Sequence, residues 1–148
     1  MTPLYHFTDI ACLGEILEQD QLGTDGSVSL TRDARHGFAD KAQVCLVLDR
    51  EALRQNHALS LTRGDGSKRF ARVLSDECEE RVERPVKGLS RYLREIVVTD
   101  RVHRGAREAA LWAETGTQAE RYARDHEVSL AAANFKHAAW RRQQEMLV

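Results

Sequence analysis

Short apolar runs separated by polar turns occupy the first hundred positions of the chain. The run at 4–7 contains a histidine and stops at Thr8-Asp9, and apolar residues then recur at helical spacing from 10 to 17. This order predicts a strand followed by a capped helix. The continuous apolar run at 44–48 is the strongest strand signal, and its composition predicts burial on both faces.

Weaker signals predict the remaining elements of this region. We expect strands at 28–31 and 95–99, a further strand at 57–61, and a short helix at 89–93. Asp49 is positioned to cap a helix over 50–54. Residues 62–76 contain glycines and basic residues without periodicity, which predicts a surface loop.

The carboxyl-terminal third has helical patterning only. A helix over 104–114 is predicted to end at Gly116, and a capping box at 117–120 begins another. An alanine-rich helix is predicted from Ser129 through Trp140. The chain is therefore expected to be one α+β domain, residues 1–148, with a mixed core at 1–101 and a helical extension at 102–148.

Composition narrows the class of protein. A chain of 148 residues with net charge −1, 42% hydrophobic and 30% charged residues is typical of a globular domain. No run approaches the roughly 20 apolar residues of a membrane span. Since the amino terminus also lacks a signal pattern, we expect a cytoplasmic protein without a membrane partner. The three cysteines have no metal-binding spacing, so no metal is expected.

Three segments carry candidate chemistry: His6, the run Ser29-Leu30-Thr31-Arg32, and the acidic residues of 77–80. A histidine can bond a sugar hydroxyl, and a hydroxyl beside an arginine can contact ribose and phosphate. A carboxylate can stabilise an oxocarbenium-like transition state. Each segment also has a structural alternative: His6 as a satisfied core residue, and the acidic run as a solvated helix face.

The set resembles ADP-ribosyltransferases, in particular the DarT type of bacteria and phages. In that type a tyrosine-histidine-x-threonine strand precedes a helix, as Tyr5-His6-Phe7-Thr8 does here. The resemblance implies an ADP-ribosyltransferase-like fold, in which two small sheets form a cleft for NAD. It covers roughly residues 4–99 as a series of short motifs.

Site roles follow from the resemblance. It implies that NAD is the substrate and that it contacts His6, Thr8, Ser29, Thr31 and Arg32. His6 contributes to catalysis together with a late glutamate. Glu79 is the preferred catalytic glutamate, because it fits both the glutamate-x-glutamate form and a spacing of three residues before Val82; Glu80 and Glu77 are the alternatives. Lys68, Arg69 and Arg72 in the preceding loop imply an acidic acceptor surface.

Two functions remain open at this point. The first is transfer of ADP-ribose from NAD to a nucleic acid or protein acceptor, as in a bacterial or phage toxin or defence enzyme, with NAD hydrolysis as a close variant. The second is a catalytically inactive binding module on the same fold, which recognises a nucleotide or a protein. An RNA phosphate-transfer enzyme is a weaker third. We expect the side chains of His6 and Arg32 to lie in one cleft, because the two short strands that carry them should belong to the same core.

Overall fold

The computed structural model describes residues 1–34, 41–61, 79–133, 144 and 146. Its strands and helices are β1 (Pro3–Thr8), α1 (Ile10–Gln19), β2 (Gln21–Leu22), β3 (Val28–Thr31), β4 (Val44–Asp49), α2 (Arg50–Arg54), β5 (Leu59–Leu61), β6 (Glu79–Val82), β7 (Val86–Lys87), β8 (Leu93–Val98), α3 (Ala106–His126) and β9 (Ser129–Ala132). Two 3-10 turns, Leu89–Arg91 and Asp100–His103, flank β8.

Seven of these strands form one sheet in the order β5-β6-β3-β1-β4-β8-β9, and β2 pairs with β7 in a second sheet of two strands. Neighbours in the large sheet are antiparallel except β8 and β9. A parallel pair needs a crossover, and α3 supplies it. The α+β class is confirmed, but the two sheets are very unequal in size.

The large sheet is buried on both faces at β4. Alternate residues of this strand, Leu46 and Leu48, join the main core under α1 and α3, while Cys45 and Val47 join a smaller cluster on the opposite face. The predicted burial of 44–48 on both faces is therefore confirmed. The same alternation in β1 places Leu4 in the main core and Tyr5 in the smaller cluster.

Capping residues determine where the first two helices begin. Asp9 accepts a hydrogen bond from the backbone of Cys12 at 2.8 Å, and Asp49 accepts from the backbone of Glu51 at 3.0 Å. Both helices start where the sequence predicts. The first helix ends at Gln19, because Asp20 adopts a left-handed conformation and Gln21 begins β2.

The carboxyl-terminal region differs from the sequence prediction in two ways. Gly116 does not end a helix but lies within α3, where the ring of Trp112 packs against it. The predicted helix from Ser129 is wrong at Ser129–Ala132, which forms β9. The backbone of β8 would otherwise be an unpaired edge there, and pairing with it outweighs the helical propensity of the alanines. Among the described helices, none is long and apolar enough to cross a bilayer.

Candidate functional site

A local separation of β1 and β3 creates the site. The two strands pair directly only where Tyr5 faces Thr31. One residue further along, Nδ1 of His6 lies 3.2 Å from the carbonyl oxygen of Ser29. A side chain therefore contacts the β3 backbone at a position where a regular sheet would have a backbone partner.

The bond to Ser29 fixes the hydrogen-bonding state of His6. A carbonyl oxygen only accepts, so Nδ1 must carry the proton. Burial lowers the pKa of His6, although the bond to the Ser29 carbonyl acts in the opposite direction. At neutral pH the ring is therefore uncharged, and Nε2 is a hydrogen-bond acceptor that can take a proton from a hydroxyl.

Glu79 is joined to the same serine from the neighbouring strand. The hydroxyl of Ser29 donates to Oε1 of Glu79 at 2.8 Å, and Nη2 of Arg81 donates to that oxygen at 2.9 Å. Only 8% of the Glu79 residue surface is exposed. Ser29 thus connects two predicted site residues, His6 through its carbonyl and Glu79 through its hydroxyl.

Glu80 has a different environment. Its two carboxylate oxygens lie 2.8 and 2.9 Å from Nε of Arg50, and Nε of Arg32 lies 3.3 Å from one of them. Glu80 is 1% exposed, whereas the side chain of Arg32 is 45% exposed. Two guanidinium groups therefore compensate one buried carboxylate, as a buried charge requires.

Strand alternation places the two acids on opposite faces of the sheet. Glu80 pairs with Leu30 and shares its face, towards the main core, whereas Glu79 pairs with Thr31. Residues 79–82 form a strand with both acids buried, so the alternative of a solvated helix face is wrong for this stretch. Thr31 is buried as well, and its hydroxyl accepts from the backbone of Asp33.

A cavity of about 310 Å³ opens beside His6, between the end of β1, one side of α1 and the β2–β3 connection. Its described lining residues are His6, Thr8, Cys12, Glu15, Ile16, Gln19, Gln21, Leu22, Gly23, Thr24, Ser27, Val28 and Ser29. The predicted contacts His6, Thr8 and Ser29 are thus brought together. The predicted site residues Thr31, Arg32, Glu79 and Glu80 are not among these lining residues, and the described ion pair of Arg32 is with Glu80.

Four predicted site residues lie outside the described part of the chain: Glu77, Lys68, Arg69 and Arg72. No sequence pattern had indicated the two arginines that contact the acids, Arg50 and Arg81. Arg81 could have been found, because it alternates with Glu79 on β6 and therefore shares its face, whereas nothing local links Arg50 to a carboxylate 30 positions later.

A second cavity, of about 440 Å³, lies at the opposite edge of the sheet, where β8 and β9 end. Trp112, His103 and Asp100 line it together with small apolar residues of β9. No predicted site residue is among its described lining residues. Within the described ranges, no group of three or more histidine, cysteine, aspartate or glutamate side chains is arranged to hold a metal ion.

This chain matches no protein-family model and no curated protein sequence. The functional interpretation therefore depends on the geometry around His6, Ser29 and Glu79.

Proposed function

We propose that this protein is an ADP-ribosyltransferase that uses NAD as its substrate and transfers ADP-ribose to a nucleic acid or protein acceptor, as bacterial and phage toxin or defence enzymes do. In the proposed fold, which is ADP-ribosyltransferase-like, the separation of β1 and β3 is the NAD cleft. One observation carries the proposal: Ser29 contacts His6 through its backbone carbonyl and Glu79 through its side-chain hydroxyl, so three adjacent strands contribute, and His6 and Ser29 line a cavity.

The chemistry assigns one task to each of these residues. Nε2 of His6 accepts a hydrogen bond from a hydroxyl of the nicotinamide-side ribose, because its neutral ring has Nδ1 protonated. The bond between nicotinamide and ribose breaks with its electron pair going to the nicotinamide nitrogen, which leaves positive charge on the sugar. Glu79 holds the 2′-hydroxyl and stabilises that charge. The acceptor nucleophile then bonds to the anomeric carbon and loses its proton.

A direct test measures nicotinamide release from NAD by the wild type and by Glu77→Gln, Glu79→Gln and Glu80→Gln. We expect release by the wild type and a loss of about 10²–10³-fold in Glu79→Gln. NAD should also raise the melting temperature, because a ligand at a hundredfold excess over its dissociation constant adds roughly 2.7 kcal/mol. Absence of both release and stabilisation would contradict the proposal.

A second candidate function is supported by the state of Glu79 itself. Its carboxylate is buried and already accepts bonds from Ser29 and Arg81, which is the arrangement expected of a structural acid. The alternative is a binding module that recognises a nucleotide without cleaving it. It predicts stabilisation by NAD or ADP-ribose with no nicotinamide release, and unchanged ligand affinity in Glu79→Gln.

A further inference from the structure

The charges around the first cavity are distributed unevenly. Glu15 on α1 is the one residue with a carboxylate among its described lining residues, and none of those is a lysine or arginine. Ser27, which precedes β3, also lines the cavity, and Nη1 of Arg81 donates to its hydroxyl at 3.4 Å, so a guanidinium adjoins the cavity at this residue. The cavity therefore has a carboxylate on α1 and a cation next to Ser27.

The size of the cavity limits what can enter it. At about 310 Å³ it lies at the lower end of the roughly 300–1,000 Å³ that hold drug-sized ligands. It therefore suits one nucleoside half of a dinucleotide better than the whole. No described lining residue is a basic side chain that could contact the phosphates of such a ligand. Ser27 lines the cavity, however, and Arg81 donates a hydrogen bond to it.

We propose that Glu15 selects the oxidised, pyridinium form of the nicotinamide ring, which lies in the cavity against α1 while the phosphates leave past Ser27 towards Arg81. This inference rests on the proposed function, since it specifies how that site holds NAD. The two ends of the ligand match the two ends of the cavity: the pyridinium ring is cationic and the pyrophosphate is anionic. Reduction of the ring removes its positive charge, and the attraction to Glu15 is lost with it.

The expected effect is modest, because Glu15 is exposed at the cavity rim and water screens its charge. Glu15→Gln keeps the size of the side chain and an oxygen that can accept the bond from Nε2 of Gln19. We expect the variant to bind the pyridinium ligand about three- to tenfold more weakly. Glu15→Lys should weaken it further, because it places a like charge beside the ring.

The experiment titrates three probes into the wild type and into each variant: the non-cleavable carba analogue of NAD, NADH and ADP-ribose. The carba analogue keeps the cationic ring, NADH has a neutral ring, and ADP-ribose has no ring. Glu15→Gln should weaken only the carba analogue and leave the other two within about twofold. Glu18→Gln is the matched control, since Glu18 is an exposed acid of α1 that does not line the cavity. Raising the salt concentration should reduce the difference.

Failure of the inference is distinguishable from failure of the proposed function. If the wild type binds the carba analogue but Glu15→Gln weakens all three probes equally, or none, the selection by Glu15 is refuted while NAD binding stands. If the wild type binds none of the three probes, the proposed function and this inference both fail. Tighter binding of the carba analogue by Glu15→Lys would also overturn the inference.

Discussion

Glutamine substitutions at the two adjacent carboxylates of β6 should have different effects. We expect Glu80→Gln to lower stability and Glu79→Gln to lower turnover. Glu80→Gln removes a charge that is 1% exposed and contacts two guanidinium groups. Breaking a buried pair costs about 3–5 kcal/mol, and we expect the lower end because both arginines retain access to water, with side chains 22% and 45% exposed. For a chain of this size, about 3 kcal/mol lowers the melting temperature by roughly 6–12 °C.

Glu79→Gln should change stability much less. The substituted amide keeps an oxygen that accepts from the Ser29 hydroxyl, and the charge that it loses is opposite Arg81, whose side chain is 31% exposed. We expect a cost of about 1–2 kcal/mol. Turnover should instead fall by about 10²–10³-fold, because the missing charge matters most when the ribose is cationic.

Urea unfolding followed by circular dichroism, together with nicotinamide release per folded molecule, separates the two effects. Glu83→Gln is the control, because Glu83 is an exposed acid of the same region and should change stability by less than about 0.5 kcal/mol. Wild-type stability in Glu80→Gln would refute the argument from burial. Full turnover in Glu79→Gln combined with loss in folded Glu80→Gln would show that the catalytic assignment is reversed.

Three further predictions concern stability. The lowered pKa of His6 means that the folded state binds fewer protons than the unfolded state near that pKa. Stability should therefore fall as pH drops below about 6.5, by at most about 1.4 kcal/mol per pH unit. In acid titrations, His6→Gln should reduce this dependence of stability on pH and leave the part due to His57, whose pKa is also lowered by burial. Asp20→Asn should cost about 1–2 kcal/mol in urea unfolding, because its carboxylate accepts from the Tyr122 hydroxyl at 2.5 Å. Gly23→Ala should destabilise by at least about 1–2 kcal/mol, since φ is +85° and the added carbon would lie 2.7 Å from a valine methyl; unchanged thermal stability would contradict this.

The elements that the sequence predicts well are those with local signals. Asp9 and Asp49 each accept backbone hydrogen bonds within three residues, so the starts of α1 and α2 depend on neighbouring residues alone. The run at 44–48 is continuous and apolar, and it becomes an interior strand of the sheet with burial on both faces. Such signals require no knowledge of the rest of the chain.

The elements that the sequence misses depend on distant partners. Ser129–Ala132 has helical composition, but it becomes a strand because α3 returns the chain beside the edge of β8. The strands β2 and β7 have two residues each, which is too short to show periodicity. The residues that pair between them are more than 60 positions apart in the sequence. Pairing of this kind is a tertiary effect that overrides local propensity.

The candidate site combines both kinds of information. Residue types and short motifs were sufficient to select His6, Ser29 and Glu79, which the fold then joins by hydrogen bonds. The motifs favoured Glu79 over Glu80, but they did not show that the two side chains lie on opposite faces of the sheet with different arginines, because strand pairing and distant partners decide this.

The burial of β6 follows from charge compensation rather than from hydrophobicity. Glu79-Glu80-Arg81-Val82 has one apolar residue, so its composition favours a solvated segment, yet both acids are buried. Arg81 compensates Glu79 from the same strand, and Arg50 compensates Glu80 from α2. A strand whose charges are neutralised from different elements forms only after those elements assemble. It follows that the buried position of Glu80 depends on contact between β6 and α2, since α2 supplies Arg50.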